Sequence, residues 1–194
     1  MELSARLPDA AAWEHRGLRV GFETLFVQRR ADGVLLTGCT TAVEDGTPWT
    51  AQYEIAVGED WACRSAHVLA ITKTGSRSRT LQTDGRGSWR VDGRPAPLLE
   101  GCLDVDLEAS AMTNTLPIHR LQLAVGAKRS VPAAYVRATT LEIERLEQSY
   151  ERLTGTAGAS AFRYDAPAFR FRCELVVDSA GLVLDYPGIA TRAF

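Results

Sequence analysis

The sequence predicts a mainly β fold, an antiparallel meander that closes or rolls up on itself. The first observation is the alternation in 49-WTAQYEIAV-57 and 168-AFRFRCELVV-177, where apolar residues occupy one side and mostly polar residues the other, as along a half-buried strand. The second is the recurrence of turn signals, such as Ala-Asp-Gly at 31–33 and Glu-Asp-Gly at 44–46. Strands at about ten-residue spacing favour a curled sheet, because a long open sheet leaves its edges unpaired.

Further strands are predicted on both sides of these two segments, again between turn signals. They are 19–28, 33–43, 61–73, 88–93, 102–108 and 182–186. The stretch 74–90 is locally basic, with four arginines against Asp84. We interpret it as a solvated hairpin in preference to a patch for anionic groups, because short charge clusters usually face water.

The segment 139–155 carries two conflicting patterns. From Ile143 onward its apolar residues recur at helical spacing with charges between them, and Gly155 is placed to end a helix. The residues before Ile143 alternate as a strand would. The β context, together with the family resemblance described below, favours strand for about 134–152.

One short helix is predicted in 113-TNTLPIHRL-121. A threonine or asparagine at 113–115 can cap its free N–H groups, and Pro117 in the first turn removes a donor that would lack a partner anyway. Leu116 and Ile118, with a further leucine, make the helix apolar on more than one side. We therefore expect the helix to lie inside the protein.

The strand that precedes this helix, 102-CLDVDLE-108, carries three carboxylates on one face. Asp104, Asp106 and Glu108 lie about 6.6 to 6.8 Å apart from neighbour to neighbour along an extended backbone. Calcium requires six to eight oxygen ligands, and no loop supplies the remainder, so no metal site is predicted. We expect carboxylates that are solvated or paired with cross-strand arginines.

A hydrolytic site is the alternative interpretation of the same region. His119 stands near two hydroxyl residues, Ser110 and Thr113, with Asp104 or Asp106 as an orienting partner. Such triads are recognised by geometry, and the sequence has no G-x-S-x-G elbow. No catalytic residue is assigned, and an enzyme using Asp104, Asp106 and His119 stays open as the second hypothesis.

Length, composition and charge limit the number of domains, the partners and the cofactors that we expect. A chain of 194 residues without a linker predicts a single domain, 1–194, and its 22 basic against 24 acidic residues argue against nucleic acid as a partner. The four cysteines stand alone, which predicts reduced thiols and no cofactor or metal. Residues 1–16 lack an apolar leader core, and no apolar run approaches the ~18 residues of a membrane span. We expect no stable membrane insertion and a cytoplasmic location.

Four segments resemble the glycolipid-binding proteins of bacteria, formerly an uncharacterised domain family. They are 87-GSWRVDG-93, 98-LLEGCLDVDLEASAMTNTLPIHRL-121, 134-AYVRATTLEIERLEQSY-150 and 176-VVDSAGLVLDYPGIATR-192, and they keep the family's order. The resemblance covers about residues 20 to 192. The sequence departs from the family's pattern at Ser110-Ala111-Met112, where a proline and an aromatic residue are usual.

The resemblance implies a spiral β-roll, in which many antiparallel strands wrap around one short helix, similar to bacterial lipoprotein carriers. It also implies non-enzymatic binding of a glycolipid or other long-chain amphiphile in an apolar groove between the sheet and the central helix. Each acyl CH₂ moved there from water would gain roughly 0.8 kcal/mol. A third hypothesis is an interaction module with a filled core, and the oligomeric state stays open, a homodimer included.

The candidate ligand-binding residues follow from this expected groove. Polar ones at its rim would bind the head group, and aromatic or apolar ones would line it, with Trp49, Tyr53 and Trp61 as further lining candidates. The nine candidates are Trp89, Asp104, Asp106, Asn114, Leu116, Ile118, His119, Arg120 and Tyr186. For each of them, ordinary packing or hydrogen bonding within the fold is the competing interpretation.

Overall fold

The computed structural model describes residues 6–156 and 158–194 and confirms the mainly β fold. Over these residues it contains seventeen strands and one α-helix, α1 (Thr115–Leu121). The strands are β1 (Ala10–His15), β2 (Val20–Arg30), β3 (Gly33–Glu44), β4 (Thr47–Gly58), β5 (Cys63–Thr72), β6 (Gly75–Thr83), β7 (Trp89–Val91), β8 (Arg94–Pro95), β9 (Asp104–Leu107), β10 (Lys128–Ser130), β11 (Ala133–Val136), β12 (Ile143–Leu146), β13 (Ser149–Thr156), β14 (Ala159–Ala166), β15 (Phe171–Val177), β16 (Val183–Tyr186) and β17 (Ala190–Arg192). The start of the N-terminal segment considered above, 1–5, lies outside the described residues.

Fourteen of these strands form one antiparallel sheet, in the order β10-β13-β14-β15-β16-β17-β1-β2-β3-β4-β5-β6-β7-β8. The strand β1 lies in its interior, paired with β2 on one side and with β17 on the other. The strands β10 and β8 form the two ends, so the sheet is not closed into a barrel. From β1 the chain builds one half of the sheet as the meander β2 to β8, and the other half forms from β13 to β17.

A second, smaller sheet has the order β12-β11-β9. Its pair β9–β11 is parallel and aligns Asp106 with Tyr135, whereas β11–β12 is antiparallel. The parallel pair departs from the antiparallel pattern predicted from the sequence, because alternation along one strand carries no information about the direction of its neighbour. Val105 and Asp104 point to opposite faces of β9, and both are buried.

The ambiguous segment 139–155 contains the strands β12 and β13, and its helical interpretation is wrong. A turn that includes Leu141 in the left-handed region, with φ of 54°, leads into β12, and β13 follows after Glu147 and Gln148. The strand β12 pairs with β11, and β13 pairs with β14. These long-range ladders override the helical spacing, which is only a weak local preference.

The predicted short helix exists and is buried, but its predicted cap is wrong. A 3₁₀ turn, Met112–Asn114, runs directly into α1, so Asn114 is itself helical and no side chain caps the helix. Leu116 and Ile118 are part of the main hydrophobic core. The expected arrangement, a β-roll around one short apolar helix, is therefore confirmed.

Candidate functional site

A cavity of about 360 Å³ lies between the two sheets. Strands β9 and β11 of the small sheet contribute Asp106 and Tyr135, and strands β14 to β16 of the large sheet contribute Tyr164, Phe171 and Tyr186. The mouth is formed by the β1–β2 loop, the 3₁₀ turn before β15 and the β16–β17 turn. The complete lining is Arg16, Leu18, Arg19, Asp106, Leu107, Glu108, Ser110, Tyr135, Arg137, Tyr164, Phe169, Phe171, Tyr186 and Ile189.

The large-sheet wall of the cavity is aromatic. The ring of Tyr164 lies 6.1 Å from that of Tyr186 and 6.2 Å from that of Phe171, and the Phe171 and Tyr186 rings are 5.9 Å apart. The ring of Tyr186 meets the other two edge-to-face, a geometry that aromatic pairs prefer, and the rings of Tyr164 and Phe171 are tilted by 57°. Strand pairing fixes this wall because β14, β15 and β16 are consecutive neighbours in the sheet.

The carboxyl of Asp106 is the most polar group deep in the cavity. Thr113 Oγ1 donates a hydrogen bond to Asp106 Oδ1 at 3.0 Å, and Oδ2 has no hydrogen-bond partner among residues 6–156 and 158–194. Burial raises the pKa of Asp106 to about 6, with repulsion from Asp104 and Glu108 adding to the effect and the Thr113 hydrogen bond opposing it. The carboxyl keeps some accessible surface only because it lines the cavity.

This raised pKa predicts a pH-dependent effect of Asp106→Asn on stability. The pKa is about 6 in the folded chain against an ordinary value of 3.8, so the folded state holds the proton more tightly and loses stability as pH rises from about 4 to above 6. The full difference corresponds to roughly 3 kcal/mol. We expect the stability of Asp106→Asn relative to wild type to increase by about 2 kcal/mol between pH 4.5 and 7.5.

Urea unfolding of both proteins at the two pH values tests this prediction. Asp185→Asn is the control, since it makes the same chemical change at an exposed position of β16. A pH-independent difference between wild type and Asp106→Asn would show that the Asp106 carboxyl is solvated in the folded protein.

The arginines at the mouth are paired with carboxylates. Arg137 lies 5.2 Å from the ring centres of both Tyr135 and Phe169, and its guanidinium pairs with Glu108 at 3.3 Å and Glu144 at 2.7 Å. The guanidinium of Arg137 therefore contacts two aromatic rings, and two glutamates balance its charge.

Arg19 and Arg16 are balanced in the same way. Arg19 Nη1 donates to the Glu108 carbonyl at 2.9 Å, its Nε lies 3.6 Å from Glu44 Oε2, and its guanidinium stacks over Trp49. Arg16 Nη2 donates to Glu14 Oε2 at 2.6 Å. Two apolar side chains complete the mouth, Leu18 with 64% of its surface exposed and Phe169 with 38%.

Behind the floor of the cavity, Glu23 anchors the loop that carries Ser110. Its carboxylate is completely buried and accepts hydrogen bonds from Tyr53 Oη at 2.8 Å, from the Ala111 N–H at 2.7 Å and from Ser110 Oγ. The Nε2 atom of His15 lies 3.3 Å from Glu23 Oε2. This network ties β1, β2 and β4 to the segment between β9 and α1.

The family model described as "Putative glycolipid-binding" matches residues 10–192 of the chain. The chain belongs to this glycolipid-binding family. A crystal structure of a DUF1089 family protein from Pseudomonas aeruginosa is also similar, with a TM-score of 0.77 and 31% sequence identity over 99% of this chain and 96% of that one. Comparison with curated proteins gave no match.

In this member of the glycolipid-binding family, two of the nine candidate residues, Asp106 and Tyr186, line the cavity. Leu116 and Ile118 of α1 pack in the core, and no residue of α1 lines the cavity. Trp89 is buried, with its indole N–H donating to the Cys102 carbonyl at 2.8 Å.

The remaining four candidates make internal contacts around α1. Asp104 is buried and is paired with Arg120 of the helix, and not with a cross-strand arginine. Asn114 accepts a hydrogen bond from Tyr150 Oη at 2.8 Å. His119 stacks on Trp61 at 3.8 Å, and its Nε2 donates to the Ala180 carbonyl at 2.7 Å.

The residues considered for hydrolysis are thus distributed over different environments. Of Asp104, Asp106 and His119, only Asp106 lines the cavity. Within the described part of the chain, no three or more His, Cys, Asp or Glu side chains are grouped so that they could hold a metal ion. The same residues contain no helix long and apolar enough to cross a bilayer.

Several cavity residues were not predicted from the sequence. Tyr135, Tyr164 and the mouth arginines come from segments far apart in the chain, and only the packing of the two sheets brings them together. A signal did exist for Phe169 and Phe171, which share the apolar side of the alternating stretch 168–177.

Proposed function

We propose that this protein binds a glycolipid or another long-chain amphiphile in the cavity between its two sheets. One observation carries the proposal: a concave site with an aromatic wall, the Asp106 carboxyl inside it, and a mouth where exposed apolar side chains lie beside paired arginines. This combination of mostly apolar walls and a few placed polar groups is typical of small-molecule sites. Membership of the glycolipid-binding family supports the amphiphile as ligand class.

The size of the cavity supports partial enclosure of such a ligand. At about 360 Å³ it lies at the lower end of the usual range for ligand sites, roughly 300 to 1,000 Å³. The part of a long amphiphile that stays outside would lie across the mouth, where Leu18 and Phe169 expose apolar surface. Each CH₂ group covered there gains roughly 0.8 kcal/mol at most.

We expect Leu18→Glu to weaken the binding of an amphiphile by about tenfold or more. The substitution replaces exposed apolar surface at the mouth with a charge that the ligand would have to desolvate, and tenfold corresponds to about 1.4 kcal/mol. Isothermal titration with n-dodecyl maltoside, below its micelle concentration, measures the effect. Because Leu18 is exposed, the variant should keep the stability of the wild type.

Val125→Glu is the matched control, since Val125 is also an exposed apolar residue and lies outside the cavity lining. It should bind like the wild type. Two results would contradict the proposal: equal weakening by both variants, or no heat of binding with any amphiphile together with no lipid in native mass spectra of the protein purified from bacteria.

A further inference from the structure

We propose that the cavity takes the uncharged carbohydrate head of the amphiphile, and that the alkyl chain leaves over the apolar mouth. This inference rests on the proposed function. It places the head group inside and the acyl chain outside, the opposite of a carrier whose interior holds the acyl chain. The Asp106 carboxyl in the lining favours the head-first orientation. The Asp106 carboxyl and several hydroxyl groups belong to the lining, while the exposed entrance carries Leu18 and Phe169 beside arginines that are already paired.

The lining includes the oxygen-bearing side chains of Asp106, Ser110, Tyr164 and Tyr186. Ser110, Tyr164 and Tyr186 are buried, whereas Leu18 and Phe169 at the entrance are exposed. An acyl chain pushed to this depth would remove water from the Asp106 carboxyl without offering it a hydrogen bond. Burying a polar group in this way costs free energy.

A sugar hydroxyl removes that cost because it can donate to the unused oxygen of Asp106. Thr113 occupies Oδ1 at 3.0 Å, and Oδ2 has no protein partner within the described ranges 6–156 and 158–194. At about 360 Å³ the cavity has room for several water molecules. A group rich in hydroxyls can replace such water and keep hydrogen bonds that water makes to buried polar groups.

The charge balance at the mouth favours an uncharged head over a phosphate. Arg137 pairs with Glu108 and Glu144, and Arg16 pairs with Glu14. Arg19 donates to a carbonyl and lies near Glu44. An anionic head group could form an ion pair with one of these arginines only by breaking the existing contacts. It would also be repelled by the carboxylate of Asp106.

The test compares two kinds of probe that each carry a twelve-carbon chain. One kind is a set of dodecyl glycosides with glucose, galactose or maltose heads, and the other is lauric acid. By titration calorimetry we expect at least one glycoside to bind at least tenfold more tightly than lauric acid. Saturation-transfer NMR on that glycoside should show stronger transfer to its sugar protons than to its terminal methyl group.

Asp106→Asn supplies the matched variant. It should lower the affinity for that glycoside by about tenfold, the effect of losing one hydrogen bond to a charged group, and change the affinity for lauric acid little. Asp185→Asn, on the exposed side of β16, should leave both affinities unchanged. Comparison of unfolding curves confirms that the variants are folded.

Equal affinity for lauric acid and the glycosides, with no effect of Asp106→Asn, would overturn the head-first orientation and leave amphiphile binding intact. Stronger NMR transfer to the methyl end would overturn it as well. Absence of binding by every probe would contradict the proposed function itself, so the two failures are distinguishable.

Discussion

Glu23→Ala is expected to lower the free energy of unfolding by about 3 to 5 kcal/mol, because three buried hydrogen-bond donors lose their shared acceptor. The carboxylate of Glu23 is fully buried and accepts from Tyr53 Oη, from Ser110 Oγ and from the Ala111 N–H. Alanine leaves all three donors without a partner in a dry environment. Each such orphaned group costs about 1 to 3 kcal/mol.

Urea unfolding measures the loss, and Glu54→Ala is the control because Glu54 is an exposed glutamate on β4, next to Tyr53. The loss of stability for Glu23→Gln should lie between those of Glu23→Ala and Glu54→Ala, since the amide keeps one acceptor oxygen. A loss for Glu23→Ala within about 1 kcal/mol of the control would mean that the donors find other partners, and that Glu23 does not hold the cavity floor in place.

Arg120→Ala is expected to destabilise the protein by a similar amount, about 3 to 5 kcal/mol at neutral pH. Arg120 donates to both oxygens of Asp104, through Nη2 at 2.5 Å and Nε at 3.1 Å, and Asp104 is only 1% exposed. Burial raises the pKa of Asp104, and Arg120 opposes that rise. Without the arginine an unpaired carboxylate would stay in the core.

The loss in Arg120→Ala should shrink at acidic pH. Removal of the arginine raises the pKa of Asp104 further, so the folded variant binds a proton that the unfolded chain lacks, and its stability falls as pH increases above the unfolded value near 3.8. Unfolding measured at pH 5 and pH 8 tests this dependence. Asp104→Asn combined with Arg120→Ala should recover part of the loss, because no buried charge remains.

Arg172→Ala provides the comparison with an exposed ion pair. Arg172 pairs with Asp165 at 2.6 Å and is 66% exposed, so its removal should cost at most about 1 kcal/mol. Equal losses for Arg120→Ala and Arg172→Ala would show that the Asp104–Arg120 pair is screened by water, contrary to its burial.

Much of the fold was predictable because strand alternation is a local signal. The segments 33–43 and 49–57 correspond to β3 and β4, and the apolar helix at 115–121 is buried as expected. The strand β1 was missed because its sequence AAAWEH shows no alternation, and its pairing partners lie at 20–30 and 190–192. Such pairing depends on contacts across the chain that no local pattern records.

The site was less predictable than the fold for a related reason. The polar residues around α1 were expected at a groove, but Asp104 and Arg120 satisfy each other, and His119 packs on Trp61. The position of Asp106 opposite Tyr135 depends on the parallel register of β9 and β11, which only the assembled sheet defines. Residue type and position in the sequence singled out these residues as candidates, but did not show which of them line the same cavity.

The pairing of β1 with β17 has a consequence for synthesis on the ribosome. The meander β2 to β8 can form as it emerges, but the free side of β1 has to wait until residues 190–192 have been made. Backbone contacts such as the one between the Ala12 N–H and the Phe194 carbonyl, 2.9 Å apart, can form only after Phe194 has been made. The two halves of the molecule are therefore joined only after residues 190–192 have been synthesised, and until then an unpaired strand is open to wrong partners.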